Sequence, residues 1–162
     1  MRIQRFDAPP STITFHRRLT DAVYLTGGRS PSETRRTLLR YEVTAGSVGE
    51  WRACADLSCG RIRHAAVVLR DHLYVIGGLN DSGHALKTVS RYDFATDRWE
   101  DIAVLNSTRY DCMAGAVGSA LLVAGGYNLS NSSVDIFKID NKCWLTTSPM
   151  PDSCYGAGYA AM

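Results

Sequence analysis

The sequence lacks any run of 18 apolar residues, and its first ten residues, MRIQRFDAPP, lack the apolar core of a secretion signal. Membrane-spanning helices and secretory signals both need such a run. The five cysteines form no C-x-x-C pair, and an odd, irregularly spaced set predicts reduced thiols rather than a disulfide framework or a zinc site. These absences predict a cytoplasmic protein without membrane contact.

Recognised catalytic motifs are absent as well. The sequence has no G-x-S-x-G, H-E-x-x-H or phosphate-binding loop. The histidines show no pairing at metal-ligand spacing. They are His16, His64, His72 and His84. A net charge of +2 without a concentrated basic stripe argues against nucleic acid as a partner. The sequence therefore predicts no enzyme, no metal site and no cofactor.

The composition is that of a globular domain, with 45% hydrophobic and 21% charged residues in a chain of 162. Fifteen of the 18 basic residues are arginine. Guanidinium groups suit bidentate contact with carboxylates and phosphates. The charge pattern is therefore compatible with an acidic partner, and equally with a solvated arginine-rich surface.

An internal repeat organises nearly the whole chain. Three similar segments, DAVYLTGG, DHLYVIGG and SALLVAGG, end in glycine pairs spaced 50 and 48 residues apart. A tryptophan follows each pair, with spacings of 48 and 45 residues, and a tyrosine or phenylalanine precedes each tryptophan. The markers are Gly27, Gly28, Tyr41, Trp51, Gly77, Gly78, Tyr92, Trp99, Gly125, Gly126, Phe137 and Trp144. A phase kept across three copies predicts a repeat architecture.

Each copy has the pattern of four short strands. HAAVVL at 64–69 is a nearly continuous apolar run, which is typical of an inner strand buried on both faces. LYVIGG, SRYDF and WEDIA supply three further strands, and FATDR contains a tight turn. No amphipathic helical period of useful length occurs. The sequence therefore predicts an all-β protein.

The period, glycine pairs and aromatic spacing together resemble the kelch motif over residues 21–162. The resemblance implies a partial kelch β-propeller of about three four-stranded antiparallel blades plus the start of a fourth, taken from a ring of six. The aromatic markers would then fill the spaces between blades. The implied boundaries are a lead-in at 1–20, repeats at 21–57, 58–105 and 106–150, and the first strand of an incomplete repeat at 151–162.

Both ends of the array predict a fragment of a longer protein. FHRRL at 15–19 is too polar for an inner strand, so the resemblance implies that the far end of a longer chain completes the first blade. CYGAGYAAM at 154–162 aligns with an inner strand whose glycine-pair strand does not follow. Three blades alone would leave open apolar surfaces. Pairing of two half-propellers is the alternative.

The resemblance also implies a binding face. Kelch domains that bind proteins or peptides use residues just after the glycine pair and just after the arginine of each repeat. Carried onto this sequence, these are Arg29, Ser30, Arg61, Ile62, Arg63, Leu79, Asn80, Asp81, Arg109, Tyr110, Asp111, Tyr127, Asn128 and Tyr155. Arg29, Arg61 and Arg63 are expected to form a cluster able to grip a carboxylate or phosphate. Cys154 stands where an arginine is expected, which puts that loop in doubt.

The array opens with a glycine-pair strand, as in BTB-kelch proteins. This likeness implies the substrate-recognition propeller of an adaptor for a cullin-RING ubiquitin ligase, with a protein or peptide as ligand. The ligase itself would dock only through BTB and BACK segments, which this chain does not contain. An actin-binding or cytoskeletal kelch protein is the alternative, and a kelch-fold enzyme is the third possibility.

Overall fold

The computed structural model describes residues 13–18, 20–42, 49–127 and 131–157, with side chains from residue 22 onward. This part of the chain forms twelve β-strands. They are β1 (Ile13–Arg18), β2 (Thr20–Thr26), β3 (Leu38–Glu42), β4 (Glu50–Cys54), β5 (Ala65–Leu69), β6 (His72–Ile76), β7 (Thr88–Asp93), β8 (Arg98–Val104), β9 (Met113–Val117), β10 (Ala120–Ala124), β11 (Val134–Lys138) and β12 (Cys143–Thr146). None of the described residues belongs to a helix that is long and apolar enough to cross a membrane.

The strands form three antiparallel sheets of four, in the orders β1-β2-β3-β4, β5-β6-β7-β8 and β9-β10-β11-β12. We call these sheets blades 1, 2 and 3. The inner strand β5 contacts β1 on one side and β9 on the other, so the blades stand around a common centre. The expected arrangement of three four-stranded antiparallel blades of a partial β-propeller is confirmed.

The first blade differs from expectation at its inner strand. Residues 1–20 were expected to be an atypical lead-in, yet Ile13–Arg18 forms strand β1 and pairs with β2. Polar composition does not prevent this, because backbone hydrogen bonds to β2 hold the strand whatever its side chains are. At the other end, residues 151–157 contain no strand, and residues 158–162 of the predicted fourth repeat lie outside the described residues.

Two apolar cores lie between the blades. The core between blades 1 and 2 contains Ala22, Tyr24, Leu38, Ala66, Leu73, Val75 and Tyr92. The core between blades 2 and 3 contains Ala65, Val67, Leu69, Tyr74, Ile76, Val89, Leu105, Cys112, Ala114, Leu121, Val123 and Phe137. Alternate residues of β6 therefore serve opposite interfaces, as the period of two in a strand requires.

The aromatic markers sit directly opposite each other on the third and fourth strands of each blade. Ring centroids are 5.1 Å apart in Tyr92–Trp99 and 5.0 Å apart in Phe137–Trp144. Trp99 also reaches blade 1, because its indole N–H donates to the carbonyl of Ala55 at 2.8 Å. The aromatic pairs of blades 2 and 3 thus pack between blades, as the sequence predicts.

Each glycine pair sits where another backbone passes. The amide of Gly78 donates to the carbonyl of Arg109 at 2.8 Å. A Cβ atom on Gly77, whose φ is 61°, would overlap the same carbonyl oxygen. The first and third blades repeat this contact with Arg61 and Cys154, respectively. Glycine is required here because only a bare Cα allows the carbonyl this close, and a backbone rather than a tryptophan ring makes the approach.

Candidate protein-binding face

Two sets of loops meet at one end of the blades. Ile62, just before β5, forms an isolated bridge with Leu79, just after the second glycine pair. Tyr110 and Tyr127 form the corresponding bridge in blade 3. The inter-blade loops and the loops after the glycine pairs therefore share one surface, on which the sequence places its candidate contacts.

Five of those candidates form one cluster, which we call the tyrosine stack: Arg63, Tyr110, Asp111, Tyr127 and Tyr155. The rings of Tyr110 and Tyr127 lie 5.0 Å apart and 11° from parallel. Tyr155 adds a third ring 4.4 Å from Tyr127. The guanidinium of Arg63 lies 5.0 Å from the centroid of the Tyr110 ring. Cation–π and stacking contacts of this kind favour ordered side chains at an accessible surface.

The charge of Arg63 is balanced within the stack. Its Nε donates to Asp111 Oδ1 at 3.0 Å, and its Nη2 forms an ion pair with Oδ2 of the same carboxylate. This two-point contact fixes the guanidinium plane. The Arg63 side chain is nevertheless 48% exposed, so it remains accessible to a partner. The hydrogen bond between the Tyr127 hydroxyl and the Tyr155 side chain is the main reason that the pKa of Tyr127 is raised, so the Tyr127 hydroxyl stays protonated.

The backbone also holds the stack rigidly. Arg63, Asp111 and Gly156 occupy equivalent positions of successive blades, and all have left-handed backbones with φ of 57°, 53° and 66°. The amide of Asp111 donates to the carbonyl of Arg63 at 2.8 Å, and the amide of Gly156 donates to that of Asp111 at 2.8 Å. These bonds link the inner loops from blade to blade. Left-handed non-glycine residues persist only where their surroundings fix them.

Polar candidates from the first two glycine-pair loops are held by hydrogen bonds within or between these loops. Asp81 accepts a hydrogen bond of 2.8 Å from the amide of Thr34, which lowers the pKa of Asp81 and joins blade 2 to blade 1. Asn80 accepts from the amide of His84 at 2.8 Å. Ser30 accepts from the amide of Glu33 at 3.2 Å. Hydrogen bonds therefore hold these side chains in place at the edge of the face.

The structure corrects the expectation for Arg61 and Arg109, because each is only 1% exposed. Arg109 donates to the carbonyl of Gly125 at 2.9 Å and to the Asp135 carboxylate at 2.7 Å. Arg61 reaches the carbonyl of Gly77 at 3.3 Å and the Ser90 hydroxyl at 3.4 Å. Each arginine therefore links its loop to the following blade. The expected cluster of Arg29, Arg61 and Arg63 does not form, since one member is buried and another is paired with Asp111.

The acceptors of these arginines were not identified from the sequence. Ser90 and Asp135 lie two residues before Tyr92 and Phe137, on the same face of the strand. The sequence signal that could have identified these acceptors is a polar residue at a strand position where an apolar residue is expected. Of the remaining candidates, Arg29 is exposed, Ile62 and Leu79 are half-buried, and Asn128 lies outside the described residues.

The described residues hold no group of three or more His, Cys, Asp or Glu side chains suited to bind a metal. His64 lies against the first two glycine pairs and is buried. Burial, followed by the nearby charge of Arg61, lowers its pKa to about 3. His64 is therefore neutral at physiological pH and serves packing.

Comparisons with known proteins agree with the repeat. The model of the Kelch motif matches residues 60–103. The chain is 30% identical to alpha-scruin of Limulus polyphemus, over 65% of this chain and 12% of that protein. It is 28% identical to the F-box/kelch-repeat protein At5g26960 of Arabidopsis thaliana, over 80% of this chain and 33% of that one. It is 23% identical to the kelch repeat and BTB domain-containing protein 12 of Danio rerio, over 82% of this chain and 24% of that protein.

A solved structure, that of YjhT, shares the fold. The TM-score is 0.68 at 16% sequence identity, and the match covers 80% of this chain and 49% of the other. The chain thus spans a third or less of the length of the curated relatives named above and about half of this structural neighbour.

Proposed function

Because the chain belongs to the kelch-repeat family, whose repeats form protein-interaction modules, we propose that the tyrosine stack is the recognition site for a protein or peptide partner. We propose further that the propeller selects substrates for a cullin-RING ubiquitin ligase. The first proposal concerns the surface, and the second concerns the whole protein to which these blades would contribute.

The observation that carries the first proposal is the stack itself. Three tyrosines and one arginine meet at the accessible end of the inner loops, and Tyr155 is 55% exposed. Tyrosine and arginine are enriched among residues that dominate binding energy. Stacking and the Arg63–Asp111 pair already order these side chains, so they would lose less conformational entropy when a partner binds.

The adaptor proposal rests on the resemblance to BTB-kelch proteins. One relative is by its name a kelch repeat and BTB domain-containing protein, and another is an F-box/kelch-repeat protein. These names support the pairing of kelch repeats with a second, docking domain. Fold likeness alone does not establish a function, so the two proposals need separate tests.

The binding proposal is tested by selecting peptides from a display library on the purified 162-residue chain. Peptides enriched on the native chain should lose at least tenfold in affinity, about 1.4 kcal/mol, when Arg63→Ala and Tyr155→Ala are combined. The matched control is Arg98→Ala, an exposed arginine at the start of β8, at the opposite end of the blade. Urea unfolding of each variant should show that the fold is kept. Equal affinity of the native and double-variant chains would remove the tyrosine stack as the site.

The adaptor proposal is tested on a partner found in this way. Its cellular half-life should lengthen when cullin-RING ligases are inhibited, and also when the 162-residue chain is expressed in excess as a decoy. The Arg63/Tyr155 double variant should have no decoy effect. If ligase inhibition left the half-life unchanged, the adaptor role would be ruled out and the binding role would stand. Co-sedimentation with filamentous actin would instead favour a cytoskeletal role.

A further inference from the structure

The blades at the two ends of this array each leave an apolar face open. In blades 2 and 3 the positions facing the preceding blade are almost fully buried, as with Leu73, Val75, Leu121 and Val123 at 0% exposure. The equivalent positions of blade 1 are half-buried or exposed, and no described blade covers them. We call these residues the open face of blade 1: Val23, Leu25, Leu39, Tyr41 and Trp51.

Blade 3 has the complementary open face, on the side opposite Phe137 and Trp144. We define the open face of blade 3 as Val117, Leu122, Ile136 and Leu145. Val117 is 61% exposed and Leu145 is 45% exposed. On blade 1, Trp51 is 52% exposed, whereas its counterparts Trp99 and Trp144 are packed against the blade before them. Three of the five large hydrophobic side chains that are exposed in the described chain therefore lie on these two faces.

The internal junctions show what such a face packs against. At each junction, an arginine of one loop donates to a polar residue on the third strand of the next blade, as in Arg61–Ser90 and Arg109–Asp135. Register places Leu39 at the position of Ser90 and Asp135, because Leu25 pairs with Leu39 as Val75 pairs with Ser90 and Val123 with Asp135. Blade 1 thus offers an arginine no side-chain acceptor at this position.

Blade 3 is followed by a cysteine where the other blades are followed by the arginine donor. The carbonyl of Cys154 accepts from Gly126, as those of Arg61 and Arg109 accept from Gly28 and Gly78. Cys154 therefore occupies the arginine position of its repeat. The donor is missing from blade 3 and the acceptor is missing from blade 1, so a junction between these two faces leaves no buried charge unpaired. A face followed by a standard arginine would bury a guanidinium against Leu39 without its side-chain acceptor.

We propose that the open face of blade 3 packs on the open face of blade 1 of a second copy of this chain, so that two copies close a ring of six blades. Three blades per copy give six, within the range of four to eight blades of closed propellers. A head-to-tail contact forms a closed ring when the rotation between successive copies brings the last copy back to the first. A ring of two copies then has two identical junctions. This proposal does not rest on the binding or adaptor roles.

The first test measures the mass of the 162-residue chain in solution by light scattering across a range of concentrations. The expected species is a dimer. Trp51→Glu and Leu145→Glu should each raise its dissociation constant by about 10²-fold, because each introduces a buried charge into both junctions. The matched control is Val104→Glu, which changes a 60% exposed valine on the internal blade 2 and should leave the dimer intact. A monomer at all concentrations, an open-ended polymer, or a dimer unaffected by either face variant would overturn the proposal.

The second test addresses the juxtaposition of Leu39 and Cys154. Cys154→Arg alone should weaken the dimer by about 10²-fold, and Leu39→Asp alone should do the same, because each buries a charge without its partner. The two combined should restore association to within about tenfold of the native chain, since together they rebuild the pair seen in Arg109–Asp135. Additive weakening in the combined variant would show that the two side chains do not meet.

Discussion

Arg109 donates a hydrogen bond of 2.7 Å to the carboxylate of Asp135, and the two side chains are 1% and 5% exposed. Arg109 belongs to the loop that follows blade 2, and Asp135 lies on β11 of blade 3. The backbone carbonyl of the same arginine accepts from Gly78 of blade 2. One residue thus holds two blades together, through its backbone on one side and its side chain on the other.

Replacing Arg109 with methionine should destabilise the protein by about 3–5 kcal/mol, because the Asp135 carboxylate would stay buried without its partner. The free energy of unfolding in urea measures this. Arg98→Met, at an exposed arginine, is the matched control and should change stability by less than about 0.5 kcal/mol. Combining Arg109→Met with Asp135→Leu should recover most of the loss, since no charge is then buried alone. An equally unstable double variant would contradict this account.

Stability should fall with acidification in a way that depends on His64. Its pKa is lowered from 6.5 to about 3 in the folded chain, mainly by burial. Below pH 6.5 the unfolded chain binds a proton at this residue that the folded chain does not bind, so unfolding becomes easier as pH falls toward 3. Between pH 7 and pH 5 the loss should be about 2 kcal/mol.

His64→Gln should flatten this dependence, whatever its effect at pH 7. His84→Gln is the control because His84 is exposed in a loop, and that variant should keep the native slope. Urea unfolding at half-unit pH steps provides the comparison. Identical slopes for the native chain and His64→Gln would show that His64 is not buried in its neutral form.

Gly77→Ala and Gly118→Ala separate close packing from backbone strain. Both glycines have left-handed backbones, with φ of 61° and 58°. A Cβ on Gly118 meets no atom within 4 Å, whereas one on Gly77 overlaps the carbonyl of Arg109. Gly118→Ala should therefore cost only the backbone penalty of about 1–2 kcal/mol. Gly77→Ala should cost about 2 kcal/mol more, because the Arg109 loop must move. Equal losses of unfolding free energy would argue against the close backbone contact.

Asp97 provides an anchor between blades 1 and 2 that blade 3 lacks. Its carboxylate accepts from the amide of Ala55 at 2.8 Å and from the hydroxyl of Tyr92 at 2.7 Å. The bond from the Ala55 amide is the main reason that the pKa of Asp97 is lowered. Lys142 occupies the equivalent position in blade 3, with nearly the same φ of 51° against 53°.

Asp97→Gly should therefore destabilise the chain by about 1–2 kcal/mol through the lost hydrogen bonds. Lys142→Gly is the matched control, because glycine relieves the left-handed backbone equally at both sites, and it should be neutral or slightly stabilising. Thermal unfolding gives the comparison as a shift in midpoint temperature. A destabilisation by Lys142→Gly as large as that by Asp97→Gly would contradict the anchor.

Much of the fold follows from the sequence because the repeat is carried by residues with strong local requirements. The glycine pairs mark the ends of β2, β6 and β10, and Trp99 and Trp144 mark outer strands that pack on the preceding blade. Strand β1 was missed, because its pairing with β2 depends on backbone bonds that leave no trace in FHRRL. Composition predicts which side chains are buried, and it does not report backbone pairing.

The five members of the tyrosine stack were among the positions expected to contact a partner, and that role stays a prediction. Their mutual contacts were not predicted, because they depend on how successive blades turn around the centre, which no single repeat encodes. Arg61 and Arg109 were assigned to the surface because arginine is usually exposed. The fold buries them because glycine carbonyls and the side chains of Ser90 and Asp135 accept from their Nη atoms, and those partners lie 16 to 29 residues further along the chain.

The donor of each arginine contact lies in the loop just before a blade, and its acceptor lies on the third strand of that same blade. Arg61 precedes β5 and reaches Ser90 on β7, and Arg109 precedes β9 and reaches Asp135 on β11. A segment that begins just ahead of the arginine and ends after the fourth strand therefore carries both halves of its own contact. Engineering longer or shorter arrays from this chain should cut in the inter-blade loop ahead of Arg61 or Arg109, because a cut between the arginine and the third strand would separate the donor from its acceptor.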